Sequence, residues 1–170
     1  MKPQRVVANR KSRSGNTLIE FSLLGIPIIL MSVSVVLVSI AMWQFHCLAY
    51  ASEATATYAS THGATCSQNG NSCSITIGNM ATYFASQAIA LPQSRVVVNF
   101  KDGSGTTTCS PLSSCTGNSR QFPLASYNSV GSDVTVTATY TVMNPIDLLW
   151  PVTSVHDFAL SATSRQRVLF

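Results

Sequence analysis

Arg13-Ser14-Gly15-Asn16-Thr17-Leu18-Ile19-Glu20-Phe21 is the stretch on which the fold turns, because it joins a basic segment to an apolar run with one carboxylate at its edge. Residues 21–45 are 25 positions without Asp, Glu, Lys, Arg or His. About 20 apolar residues cross a hydrocarbon core, so this run spans a bilayer with some tilt. A carboxylate in hydrocarbon is costly unless it is paired or close to the interface. Glu20 stands where the run starts, and something must offset that cost. Trp43 and Tyr50 stand at the far end, where interfacial aromatics gather.

On the N-terminal side, residues 1–15 hold Lys2, Arg5, Arg10, Lys11 and Arg13 and no acid. The other five basic and all six acidic side chains lie in the remaining 155 residues, which are close to neutral. The basic balance of the chain therefore belongs to its leader, and the body offers no basic surface for nucleic acid. Lys and Arg ahead of the run keep the N-terminus cytoplasmic and send the rest of the chain across the membrane. A cleaved secretory signal is the competing reading. Its apolar region is shorter, however, and Ala49 and Ala51 imitate a cleavage site only after a run too long for that purpose. Gly25 and Pro27 fall within the span, where a proline kink is tolerated if neighbours supply hydrogen bonds.

On the C-terminal side the helical signal continues to about Gly63 through the alanine-rich Ala49-Tyr50-Ala51-Ser52-Glu53-Ala54-Thr55-Ala56-Thr57-Tyr58-Ala59-Ser60. Ser52, Ala56 and Ser60 recur every fourth residue and form a small-residue stripe. Such a stripe lets helices pack closely between subunits, or lets this helix lie on its own head. Beyond it, Ile77, Ala81, Phe84, Ala88 and Leu91 keep a helical period until Pro92. Arg95-Val96-Val97-Val98-Asn99-Phe100 reads as a strand, Lys101-Asp102-Gly103-Ser104-Gly105 as a turn, and the polar stretch to about Gly131 as a loop. Val134, Val136, Ala138, Tyr140 and Val142 alternate with threonines as a half-buried strand that ends at Asn144-Pro145. An apolar loop over residues 146–151 leads to a last strand from Phe158 to Val168.

The expected fold is α+β: a long N-terminal transmembrane and stalk helix, then a small exported head with one helix and about three antiparallel strands. The expected divisions are a leader over 1–15, the membrane and stalk helix over 16–63, and the head over 64–170.

Cys66 and Cys73, and Cys109 and Cys115, sit as two close pairs in polar loops. Four cysteines allow three pairings; the local one is preferred, as two disulfides of a small exported head. The spacing is wrong for zinc, and no metal or other cofactor is expected. Cys47 is left over, either an ordinary buried thiol or an intersubunit bridge, with the former preferred. No nucleophile elbow, phosphate-binding loop or His-Glu-x-x-His occurs. His46, His62 and His156 lie far apart, and neighbours such as His156-Asp157 rarely face one substrate. Asp102, Asp133 and Asp147 fall in turns or at strand ends. The chain does not read as an enzyme.

The basic leader ending in Gly15, the Glu20-Phe21 pair and the apolar helix resemble class III (type IV-like) prepilins. With the stalk Ala51-Ser52-Glu53-Ala54-Thr55-Ala56, the strand from Val134 to Tyr140 and the ending Leu160-Ser161-Ala162-Thr163-Ser164-Arg165, the chain is similar to TadE/TadF pseudopilins of tight-adherence (Tad, Flp) pilus systems. Its compact single head is more like TadE. The cysteine loops match no pattern of that family. The resemblance implies a minor pilin of the bacterial inner membrane with a periplasmic head, cut between Gly15 and Asn16 by a prepilin peptidase. Its further partners would be other pilins or pseudopilins (a TadF-like one and the major Flp-type pilin) and an inner-membrane assembly platform. Cleavage would remove five positive charges and expose an α-amine at Asn16, with an ordinary pKa near 8. Glu20 would then meet its own or a neighbour's amine and set the axial register of packed helices. The plainer reading of Glu20 is an interfacial carboxylate reaching headgroup water. The alternative for the whole chain is an uncleaved signal-anchored periplasmic binding or adhesion domain.

Overall fold

The computed structural model describes residues 14–63, 65–68, 70–142 and 158–169. Along the chain run α1 (Ser14–Thr61), β1 (Ser67–Gln68), β2 (Asn71–Ser72), α2 (Ile77–Gln87), β3 (Val96–Asp102), β4 (Gly105–Cys109), β5 (Asp133–Val142) and β6 (Phe158–Arg167). The protein is α+β, with a long apolar helix leading into a small head. The Asn144-Pro145 strand stop and the apolar loop over residues 146–151 lie outside the described residues. The chain divides into two compact units between Ile40 and Ala41.

In the first unit α1 carries Leu, Ile, Val and Met side chains that are exposed along its length. By length and composition this helix is able to cross a membrane. Pro27 lies inside it without ending it. Four of its serines spend their hydroxyl protons inside the helix. Ser22 donates to the Ile19 carbonyl (3.0 Å), Ser32 to Ile28 (2.9 Å), Ser34 to Leu30 (2.8 Å) and Ser39 to Val35 (2.8 Å). Each hydroxyl is thereby satisfied within its own turn, which suits an apolar surrounding.

In the second unit β4, β3, β5 and β6 form one antiparallel sheet in that order. Alternation divides its two faces. Val96, Val98, Phe100, Val134, Val136, Ala138 and Tyr140 are buried, while the threonines between them are half-buried or exposed. Register brings the apolar residues into rows, with Val98 opposite Ala138 and Ala138 opposite Ala162. The buried row shares one core with Ile77, Met80, Ala81 and Phe84 of α2 and with Leu48, Ala51, Ala56 and Ala59 of α1. Both helices therefore cover the same face of the sheet. In α1 the buried positions 48, 51, 52, 55, 56, 59 and 60 alternate by three and four, which is one narrow seam. After Leu48 every residue of that seam is Ala, Ser or Thr.

The start of α2 is fixed from two directions. Thr76 caps it by accepting from the Asn79 amide (3.2 Å). The amides of Ile77 and Gly78 donate to the carbonyls of Arg120 and Asn118, both at 2.9 Å. A Cβ at Gly78 would lie 2.7 Å from the Thr116 carbonyl oxygen, so only glycine permits this approach. The helix ends at Gln87, four residues before Leu91, although Ala88 and Leu91 are buried as the periodicity requires.

The sheet has four strands where the sequence predicts about three. Gly105-Thr106-Thr107-Thr108-Cys109 reads as loop because it has no alternating apolar side. It pairs nonetheless as an edge strand, with Asp102 opposite Gly105 and Val98 opposite Cys109. Its threonines are half-buried or exposed, and pairing rather than burial holds it in place. The β1–β2 ladder, with Ser67 opposite Ser72, is a second departure from the expected loop. The head unit also begins well before residue 64, because the α1 seam is part of its core.

Candidate functional site

Gly15 and Asn16 lie in the first turn of α1. Glu20 is exposed one turn further on and has no ion-pair partner among the described residues. Phe21 is 77% exposed. Gly25, one turn away, lies beside its ring, and a Cβ there would make an ordinary contact at 3.7 Å from Phe21 Cε1. An apolar helix thus presents one carboxylate and one large aromatic side by side near its start. Such a carboxylate needs either water or a cation.

Ser52, Ala56 and Ser60 are buried within the head unit, in the seam that faces the sheet. Ser52 donates to the Leu48 carbonyl (2.8 Å) and Ser60 to the Thr57 carbonyl (2.9 Å), so their hydroxyls are closed off inside the helix. Of the two uses open to this stripe, the structure displays packing on the chain's own head. The same positions are not exposed for a neighbouring subunit.

Cys66 is bonded to Cys73 across the β1–β2 hairpin, and Cys109 at the end of β4 is bonded to Cys115 in the following 3-10 turn, Leu112–Cys115. This is the local pairing. Cys47 is a free, half-buried thiol on α1. Among the described residues no three His, Cys, Asp or Glu side chains gather as metal ligands. His156, Asp157 and Asp147 lie outside the described residues.

Two further clusters form that no motif in the sequence announces. Asp102 is 4% exposed, and its carboxylate accepts from the Ser104 amide (2.9 Å), the Ser104 hydroxyl and the Leu124 amide (3.1 Å). Arg120 donates to the same Ser104 hydroxyl (2.7 Å) and to Thr107 Oγ1 (2.8 Å). This carboxylate organises the β3–β4 turn. The second cluster joins the helices. Tyr58 of α1 stacks on Tyr83 of α2 with centroids 4.5 Å apart, and His62 lies against Tyr58 at 4.4 Å. Beside the tyrosine pair open two concavities of about 420 and 400 Å³ that share both rings. The only trace of it in the sequence is an aromatic lying off the buried side of each helix. Tyr58 departs from the small-residue seam, and Tyr83 sits beside Phe84 rather than in its row.

No protein-family model, curated protein or solved structure matches this chain.

Proposed function

We propose that the protein is a minor pilin or pseudopilin that serves assembly of a Tad/Flp-type pilus or a related secretion apparatus. The observation that carries this reading is Glu20, an exposed carboxylate without an ion-pair partner among the described residues, at the start of an apolar helix. It lies five residues beyond a glycine that ends a leader of five positive charges. Two coarser facts agree with it. One N-terminal helix is able to span a membrane, and two disulfides suit an oxidising compartment.

In this reading a prepilin peptidase cuts after Gly15, and the α-amine of Asn16 becomes the cation that Glu20 lacks. In a bundle of low dielectric the pair offsets a desolvation that neither charge bears well alone. Other pilins and an inner-membrane platform are the partners, and the role is assembly rather than catalysis.

Mass spectrometry of the protein from a host with the processing peptidase should show Asn16 as the first residue. Met1 or Lys2 at the start would replace the proposal with an uncleaved anchor for a periplasmic binding or adhesion domain. Glu20→Gln should insert into the membrane at wild-type level and lose assembly of the fibre or secretion complex. Wild-type assembly in that variant would remove the register role.

A further inference from the structure

β6 pairs along its 10 residues with β5, and among the described residues no strand pairs with its other side. Its register runs from Asp133 opposite Arg167 to Val142 opposite Phe158 without a break. Bulges, prolines and lysines keep edge strands from accepting a further strand, and β6 has none of the three. The Val168 amide bonds toward β5, and alternation from it turns the backbone groups of Ser161, Thr163 and Arg165 outward. Among the described residues these three make no backbone bond outside the sheet, and their side chains are exposed. β4, the other edge, is half as long and ends on Cys109, which is bonded to Cys115.

A row of alternating N–H and C=O groups is satisfied in full by another extended polypeptide. A phosphate or carboxylate ligand accepts from the amides and leaves the carbonyls bare. A second copy of this chain does not suit the edge. Neighbouring strands turn by about 20–25°, so a sheet continued from β6 into β4 of a copy turns that copy by about 80–100°. Antiparallel pairing of β6 with β6 reverses the copy outright. α1 is packed on the sheet through Leu48, Ala51, Ala56 and Ala59, and it turns with the sheet. Two copies whose α1 helices cross one membrane in the same sense meet in neither of these ways. This exclusion rests on α1 spanning the membrane.

The two faces of β6 indicate what the incoming strand carries. On the face away from the core, Arg165 and Arg167 are exposed, and exposed Lys101 lies in one cross-strand row with Thr135 and Arg165. Asp133 is the acid that Arg165 and Arg167 share, so three cations surround one carboxylate. On the core-facing side Leu160 and Ala162 are half-buried and Phe158 is 45% exposed, an apolar margin at the edge of the sheet. We infer that β6 receives an acidic extended segment of a partner protein as a further antiparallel strand. Its acids lie opposite Arg165 and Arg167, and the apolar residues alternating with them cover Leu160 and Ala162. This binding role does not depend on processing after Gly15 and holds equally for an uncleaved anchor.

The test uses the full chain in a zwitterionic detergent and the end-blocked peptide Glu-Val-Glu-Val-Thr-Val-Thr-Val, whose two acids fall opposite Arg167 and Arg165. Titration followed by NMR should show saturable binding with a Kd of about 0.1 mM or tighter. The same peptide with lysine in place of glutamate should bind about tenfold more weakly or worse. Thr163→Pro removes one outward amide and no ladder bond, so it should abolish binding in a chain that still folds. Arg167→Glu probes the charge separately: it should weaken the acidic peptide about fivefold and strengthen the lysine peptide. No saturable binding of the acidic peptide at about 1 mM overturns the inference. So does equal affinity for the two peptides, or wild-type affinity in folded Thr163→Pro. Self-association of the wild-type chain that Thr163→Pro dissolves also overturns it, because the edge then belongs to a second copy.

Discussion

At Asp102 a carboxylate almost sealed from solvent accepts three hydrogen bonds, two from Ser104 and one from the Leu124 amide. Asp102→Ala leaves those donors without an acceptor and should lower unfolding free energy by about 2–3 kcal/mol in urea titrations. Asp102→Asn keeps one acceptor oxygen and should lose less. Asp133 is the contrasting acid, paired with arginines on the open side of the sheet. The hydrogen bond from Arg165, then the charges of Arg165 and Arg167, hold its carboxyl below the ordinary range. A lowered folded-state pKa means that the pair stabilises the protein fully above the ordinary carboxylate pKa. That contribution is lost as pH falls through the lowered value. Thermal unfolding of wild type and Asp133→Asn should therefore differ near neutral pH and converge in acid. Solvent around the pair keeps the neutral-pH difference small, and added salt should shrink it.

Among the described elements, β6, like β4, pairs with a strand on one side only. Val168, just past its end, donates to the Ser132 carbonyl (2.8 Å) and accepts from the Gly131 amide (3.0 Å), both on the β5 side. Leu169 donates the other way, to the Ser60 carbonyl (3.2 Å). Alternation then directs the amides of Ala162 and Ser164 toward β5 and those of Ser161 and Thr163 outward. A proline scan should reveal this phase. Ala162→Pro breaks a ladder bond, whereas Thr163→Pro removes an amide that the ladder does not use. Chemical unfolding should place the two variants at least about 1 kcal/mol apart, with Ala162→Pro the less stable. The same strands indicate what a bare sequence reveals. β5 was legible because its valines and threonines alternate without a break. α2 was legible because Ile77, Ala81 and Phe84 keep a helical period to the core. β4 was hidden because Thr106, Thr107 and Thr108 show no inside and outside, and only its partner β3 makes it a strand. The seam of α1 was visible as a stripe, yet small residues fit a neighbouring helix and a sheet equally well, so its use was not.

For the molecule as a whole, the disulfides tie down the β1–β2 hairpin and the turn after β4, whose Leu112 and Cys115 are also buried in the core. They close short loops of 7 and 6 residues in sequence separation. Loop-closure entropy then gives each about 2 kcal/mol. Replacing Cys109 and Cys115 together by serine should lower unfolding free energy by about that amount, read from urea titrations beside the wild type. The tyrosine groove belongs to this scale as well. Tyr58 and Tyr83 meet because two helices share one core, a contact between residues 25 apart that no local pattern encodes. The basic leader and the carboxylate at the head of the apolar run, by contrast, were readable at once because both are statements about charge along the chain.

The inward-turned serines of the apolar helix have a mechanical corollary. With the hydroxyl protons at 22, 32, 34 and 39 spent on carbonyls of their own helix, these serines offer no hydrogen-bond donor to a companion rod in a bilayer. Companions would grip by contour alone, and such a grip slides lengthwise where a cross-link of hydrogen bonds would catch. In the proposed assembly, stopping that slide would fall to the acid at position 20.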